Sequence, residues 1–404
     1  MPDRTEATNQ ARGDNQGPGE MDLAQPAEAP AAEGVRMSRR RFVAAALGTA
    51  ATATLAAHSA ARVALAQGPT PHAAHTPAPA TPHGGHVSVP MGSMGPAVVL
   101  PGSTTGSVPM SVDELPDAVR HLLANPAGFT PSPMEFLTRF DYGKVSQLPD
   151  GRTLREYTII AQDVDLEVAP GIMFPAWTFN GSIPAPTLRA TEGDLMRVRF
   201  ANASAHPHSL HFHGIHPANM DGVFESVLPG ETFIYEFDAE PFGMHQYHCH
   251  TMPLAKHISK GLYGAFICDP RGGRPPVDRE MVMVLHGLDV DFDDQNDFYS
   301  VNGPAFYYQN NPIKIRVGET IRIYLTNMLE FDQSNSFHLH ANFFHWYPTG
   351  TSLTPVEYTD TVALMQAQRG ILEFSYKYPG RFLFHAHKTE FAELGWTGIF
   401  EVEP

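Results

Sequence analysis

From Arg155 onward, apolar and polar residues alternate in short runs broken by Gly, Pro and Asn, the period-two pattern of strands that bury one face. Tyr157-Thr158-Ile159-Ile160-Ala161 is one such run, and Leu195-Met196-Arg197-Val198-Arg199-Phe200, entered through Gly193-Asp194, is another. The same order of events then recurs. Asn180-Gly181 with Pro184 is echoed by Asn302-Gly303-Pro304, and the stretch from Ile313 to Asn327 alternates around Gly318-Glu319. Each round continues through a His-x-His, an aromatic-rich middle, a Gly-led strand ending in a second His-x-His, and a closing strand. A duplicated β-sandwich explains this repetition most simply. The expected fold is all-β, with tandem domains at 152–274 and 275–404 and the boundary near Pro275.

The residues ahead of these domains read differently. Ser38-Arg39-Arg40-Arg41-Phe42-Val43 precedes an Ala/Thr/Leu stretch and the small-x-small triplet Ala64-Leu65-Ala66, the layout of a twin-arginine export signal within an extension spanning 1–66. His58, Ser59 and Arg62 interrupt the apolar run and leave it short for a membrane anchor. The expectation is therefore a chain exported to the periplasm or the exterior, mature from Gln67, with no membrane span. Residues 67–151 are expected to form a linker and irregular segment. Its first part is rich in Pro, Ala, Gly and Thr, with His72, His75, His83, His86, Met91 and Met94 scattered along it. Ser111 to Leu123 predicts a short capped helix and 124–151 an irregular stretch.

Composition narrows the function. The 34 Gly and 36 Pro in 404 residues suit many short strands. The 27 basic and 43 acidic residues give a net charge of −16. The first 66 residues carry as many Arg as Asp plus Glu, so removing them leaves that balance unchanged, and nucleic acid is excluded as a natural partner. Only two cysteines occur, Cys249 and Cys268, which rules out a disulfide framework. Cys249 stands between two histidines, as a thiolate ligand would; Cys268, in Ala265-Phe266-Ile267-Cys268, fits a buried strand residue.

Candidate chemistry rests on four histidine pairs with one intervening residue: His211/His213, His248/His250, His338/His340 and His385/His387. On a strand, residues i and i+2 share a face, so each pair is a two-toothed ligand that one cavity can collect. A single pair among 21 histidines means little. Four pairs, two of them in the matching contexts Tyr247-His248-Cys249-His250 and Phe384-His385-Ala386-His387, point to a cluster of metal ions.

In these motifs the chain resembles the cupredoxin domains of multicopper oxidases, specifically the two-domain small laccases, and is related to the copper nitrite reductases; the likeness covers roughly residues 152–404. It implies two tandem cupredoxin-like Greek-key β-sandwich or barrel domains with copper as the cofactor. His208-Ser209-Leu210-His211-Phe212-His213 is similar to the family's His-x-x-His-x-His signature. The resemblance then implies that His208, Cys249 and His257 hold a blue type 1 copper, with its axial position at Leu262, or at Met252 if that loop folds inward. It further implies that His211 and His338 hold a type 2 ion, and that His213, His248, His250, His340, His385 and His387 hold a type 3 pair. About four coppers per chain would result. Ala386 replaces Cys249 in the second unit, which therefore cannot build a blue site. Each domain would supply half of the three-metal cluster, and the family closes three chains into a homotrimer so that the halves meet.

The implied activity is one-electron oxidation of phenols, aromatic amines or reduced metal ions, coupled to reduction of O2 to water. Asp221, Glu390 and Glu393 are candidate proton donors, each weighed against an ordinary solvated or capping carboxylate. His206, His216, His245, His286 and His345 fit no ligand slot and are expected to be structural or surface residues. Two alternatives remain open. A copper nitrite reductase shares the domain plan but has Asp where His211 stands and a non-histidine residue where His250 stands. A non-enzymatic copper-handling protein finds its support in the His/Met linker.

Overall fold

The computed structural model describes residues 131–404; the export signal, the His/Met linker and the helix expected at Ser111–Leu123 lie outside them. Strands dominate, and they form two double-sheet units of the expected cupredoxin type. In the first unit, one sheet joins Lys144–Gln147, Thr153–Ala169, Leu195–Asn202 and Thr232–Asp238, with Ile172–Phe179 paired to Thr153–Ala169. The facing sheet runs Phe140–Asp141, Ala185–Thr191, Tyr263–Asp269, Gly243–His248, His211–Phe212. In the second unit the sheets are Phe298–Val301, Arg279–Leu288, Ile321–Asn327, Arg369–Phe374, Phe344–Pro348, Glu357–Thr359, and Ile313–Arg316, Thr397–Glu403, Gly380–His385, Ser334–Leu339, Thr361–Met365.

Alternation decides which faces turn inward. In Leu195–Asn202, Met196, Val198 and Phe200 are fully buried, while Arg197 and Arg199 turn outward to Glu236 and Glu156. Each such apolar side chain contributes about 1.5–3 kcal/mol by leaving water. The segment expected to be irregular is not wholly so. A four-residue helix at Pro133–Phe136 starts on a Ser132/Glu135 capping box, and two short strands follow at Phe140–Asp141 and Lys144–Gln147. These strands exist through pairing, the first with Ala185–Thr191 and the second with Thr153–Ala169. They are too short and too exposed to show a period in sequence.

Ion pairs and hydrogen bonds fasten the two units. Arg189 reaches Asp269 through two nitrogens at 2.7 and 3.0 Å and Glu280 at 2.6 Å; Glu280 also meets Arg322 at 2.9 Å. Both guanidinium groups are buried, so the carboxylates are what make their burial tolerable. Closer to the histidines, Arg369 donates to the Met244 carbonyl at 2.8 Å, Gln246 donates to the Ala367 carbonyl at 3.1 Å, and the Thr326 hydroxyl donates to Gln246. The Gly243–His248 strand is thus held from behind by the second unit.

Candidate metal centre

The four His-x-His pairs come together two by two, as register requires. His211 lies directly across from His248 and His338 directly across from His385. In each unit, the aromatic residue before the third histidine of the set crosses a glycine on the closing strand, Tyr247 over Gly264 and Phe384 over Gly398. A Cβ at either glycine would strike the ring, so the glycines let these strands lie close beneath the histidines.

The two quartets match bond for bond. The His211 Nδ1–H donates to the Asp221 carbonyl at 2.7 Å, and the His338 Nδ1–H donates to the Asp360 carbonyl at 2.9 Å. The His248 Nδ1–H donates to the Cys249 carbonyl at 2.9 Å, and the His385 Nδ1–H to the Ala386 carbonyl at 2.6 Å. In all four the carbonyl fixes the tautomer and leaves Nε2 with a free lone pair. The backbone N–H of His250 donates to Ser209 Oγ at 3.1 Å and that of His387 to Ser336 Oγ at 2.8 Å. The lone pairs converge: His213 Nε2 stands 3.2 Å from His248 Nε2, and His340 Nε2 stands 2.9 Å from His385 Nε2. Burial pushes the imidazole pKa of His213 down to about 2 and that of His248 to about 4, and it also lowers His211, His340 and His385. Neutral rings facing one another through unprotonated nitrogens fit a cation between them. Among the described residues, His211, His213 and His248 form one ligand group and His338, His340 and His385 a separate one, with the rings of His250 and His387 beside them at 5.3 Å from His211 and 5.1 Å from His338.

A third group lies deeper. His208 Nδ1 and His257 Nδ1 are 3.1 Å apart, and Cys249 Sγ is 3.2 Å from the latter and 3.7 Å from the former. All three residues are buried. Burial holds His208 near a pKa of about 3 and His257 near about 4, with neighbouring cationic groups adding to it, while burial raises the Cys249 thiol. Two imidazole nitrogens and one sulfur aimed at a common point are the donor set of a trigonal copper site, and a cation there would favour the thiolate. Leu262 is fully buried in the same core cluster as Cys249 and brings no donor atom. Met252 is 64 % exposed, so its loop does not fold inward.

Of the three carboxylates singled out from sequence, Asp221 places Oδ1 3.1 Å from His211 Nδ1 and 3.6 Å from His216 Nε2. Glu390 and Glu393 are exposed on the Thr389–Glu393 helix, and Glu390 pairs with Lys388 at 3.7 Å. Sequence reasoning missed Asp360 and Thr361, whose carbonyl and hydroxyl both meet His338 Nδ1. Asp360 follows its histidine by 22 positions and Asp221 by 10, so spacing alone does not pair them. His216 takes the structural place expected of it, its Nε2–H donating to the Phe212 carbonyl at 2.8 Å and standing 3.6 Å from Asp221 Oδ1.

Matches to known proteins follow the same division. A family model described as multicopper oxidase matches residues 161–273, and a second model of the same description matches 277–404. A solved multicopper oxidase structure is 60 % identical with a TM-score of 0.67, covering 67 % of this chain and 97 % of the other. The copper nitrite reductase structure from Nitrosomonas europaea is 27 % identical with a TM-score of 0.58, covering 62 % and 94 %. The copper-containing nitrite reductase of Neisseria meningitidis serogroup A is 28 % identical over 242 residues, covering 55 % of this chain and 62 % of that protein. The chain thus spans less than two thirds of the length of that relative.

Proposed function

The chain belongs to the multicopper oxidases, and on that footing we propose that it couples four one-electron oxidations of phenols, aromatic amines or reduced metal ions to the reduction of one O2 to two waters. Copper, when bound, would supply the redox chemistry: single-electron acceptance at the two-histidine, one-cysteine donor set and multi-electron delivery from ions held by the paired histidines. The observation that carries the reading is the pair of matched quartets. Eight imidazoles, four of them with Nδ1–H committed to a backbone carbonyl, offer enough nitrogen donors for three ions, where a nitrite reductase needs three histidines for one.

The chain's own residues divide the work. His208, Cys249 and His257 hold the electron-entry ion. Cys249 is bonded in sequence to His248 and His250, so one stretch of backbone leads from that ion to the cluster ligands. His211 and His338 serve the type 2 position, the other six paired histidines the type 3 positions. Asp221, whose carboxylate touches His211 Nδ1, is the best placed of the three candidate carboxylates to pass a proton inward; Glu390 and Glu393 face solvent at the other half. Leu262, buried in the same core cluster as Cys249 and without a donor atom, would leave an ion held by His208, Cys249 and His257 without a soft fourth ligand, which would raise its potential.

Each chain holds two half-clusters, and we propose that three chains close head to tail so that the first half of one meets the second half of the next. Exposed apolar residues flank both halves in sequence, Ile215 and Phe224 near the first and Phe343 and Leu383 near the second, as an interface would require. Export by the twin-arginine route, to the periplasm or the exterior, is part of the same proposal. Among the described residues no helix is long and apolar enough to cross a membrane.

The nitrite reductase reading keeps the support of its relatives, and copper content separates the two. About four coppers per chain with O2 uptake supports the oxidase; about two, with nitrite turnover, supports the reductase.

A further inference from the structure

His208 and Cys249 are fully buried and His257 nearly so, so a reductant in solution cannot touch the entry ligands. What it can touch is the wall in front of them. Trp177, 9 % exposed, sets its ring edge-on to His208 and His257 with centroids 5.5 and 4.9 Å away, and its ring also meets His206 at 4.4 Å. On its outer side Trp177 lines a cavity of about 690 Å³ between the first unit and the Asp289–Asp297 loop of the second. None of the three entry ligands lines that cavity.

We propose that this cavity is where the reductant docks, that Trp177 is the contact through which its electron reaches His257, and that the cavity selects cationic aromatic amines. This rests on the oxidase reading and names its substrate class. The size suits one or two aromatic rings. Four carboxylates line it, Asp163, Asp165, Asp289 and Asp294, against the two ammonium groups of Lys256 and Lys260, so the cavity carries an excess of negative charge. Its aromatic faces already receive cations: Lys256 Nζ lies 5.4 Å from the Trp177 ring centroid and Lys260 Nζ 4.3 Å from that of Phe292. An aryl ammonium ion meets both features at once. In the reaction a second, uncharged amine nitrogen on the docked cation gives up one electron, and the substrate leaves as a radical dication or, once that nitrogen has lost a proton to water, as a radical cation. Four such electrons and four solvent protons convert one O2, the oxidant, to two waters.

Two probes test the proposal. The first, N,N,N-trimethylanilinium, has no nitrogen lone pair to oxidise and is titrated by NMR into the full chain, copper-free and copper-loaded. Binding is expected in both, weakened about threefold by the double variant Asp163→Asn/Asp165→Asn and further by salt. No binding, or binding indifferent to both, overturns the cavity assignment whether or not the protein consumes O2. If the probe binds as expected and no reductant drives O2 uptake, the oxidase reading fails and the site stands. The second probe compares (4-aminophenyl)trimethylammonium with 4-aminobenzenesulfonate, alike in shape and opposite in charge. The carboxylate variant should raise KM for the cation and lower it for the anion, with kcat changing less than KM. Trp177→Leu should slow anaerobic bleaching of the blue band roughly tenfold, and Trp177→Phe less, with copper content and blue absorbance retained. An unchanged bleaching rate in Trp177→Leu, or equal KM shifts for both ions, overturns the proposal.

Discussion

The two units solve the same position in opposite ways. In the first, the Cys249 N–H donates to the Leu262 carbonyl and the Leu262 N–H to the His257 carbonyl. In the second, the Ala386 N–H donates to the Trp396 carbonyl and the Trp396 N–H to the Phe391 carbonyl. These equivalent bonds, with Asn335 three residues before His338 as His208 is before His211, align His208, Cys249, His257 and Leu262 with Asn335, Ala386, Phe391 and Trp396. The scaffold is kept and the chemistry exchanged. Where the first unit gathers two nitrogens and a sulfur, the second packs the buried Trp396 indole, whose Nε1–H donates to Asn335 Oδ1 at 3.0 Å, and stacks Phe391 on Tyr299 at 3.7 Å between centroids. A donor set tuned for a metal has been replaced by volume plus one satisfied hydrogen bond. The neighbouring histidine quartets, by contrast, are retained in both.

The largest effect that would break this comparison comes from the sulfur. Cys249→Ser should abolish the blue absorption and the oxidation of every reductant, while Ala386→Cys should leave both untouched, because Phe391 and Trp396 occupy the remaining ligand positions; absorption spectra and O2 uptake of the two variants check it. Trp396→Ala should destabilise the chain by about 3–5 kcal/mol, since it opens a cavity and removes one of the hydrogen bonds to Asn335 Oδ1, with little change in the first unit's spectrum. Urea unfolding followed alongside the blue band would show it. Leu262→Met should lower the potential of the entry ion by restoring a soft axial donor, whereas Met252→Leu, at an exposed residue, should not shift it; a redox titration reads both.

A smaller effect concerns acid. His208, His257 and His248 titrate in the copper-free fold near about 3, about 4 and about 4, below the unperturbed value of about 6.5. The unfolded chain therefore binds more protons below that value. The stability these neutral rings contribute is complete above pH ~6.5 and is lost as pH falls toward their folded values. The Tm of the copper-free protein should drop between pH 7 and pH 5, and copper should offset part of the loss by binding only the folded form. Asn335 and Phe391 do not titrate, so replacing His208 and His257 with Asn and Phe should flatten the dependence.

Much of this was legible in the sequence because period two and His-x-His spacing are the same physical fact: residues two apart share a face. The alternation at Leu195–Phe200 and at Ile313–Asn327 marked strands, and the pairs marked which faces carry nitrogen. Ala386 in place of Cys249 marked the second unit as lacking the thiol. What filled it did not show, because the match of Trp396 to Leu262 depends on equivalent backbone bonds across loops of different length. Asp360 stayed hidden for the same reason, and the short strands at Phe140–Asp141 and Lys144–Gln147 because partners far along the chain hold them. Nothing in the sequence singled out Trp177; only three-dimensional packing sets it between the cavity and His257.

Half-clusters on neighbouring chains are proposed to complete one another, and subunit mixing decides whether they do. One variant loses the first half through His211→Ala/His248→Ala, the other loses the second half through His338→Ala/His385→Ala. Each alone should consume no O2 with a cationic aryl diamine. Co-assembled and copper-loaded, each mixed trimer restores one intact interface, so uptake should return to about a third of the unaltered rate per mixed trimer. No recovery on mixing, in trimers shown to contain both variants, would contradict the account.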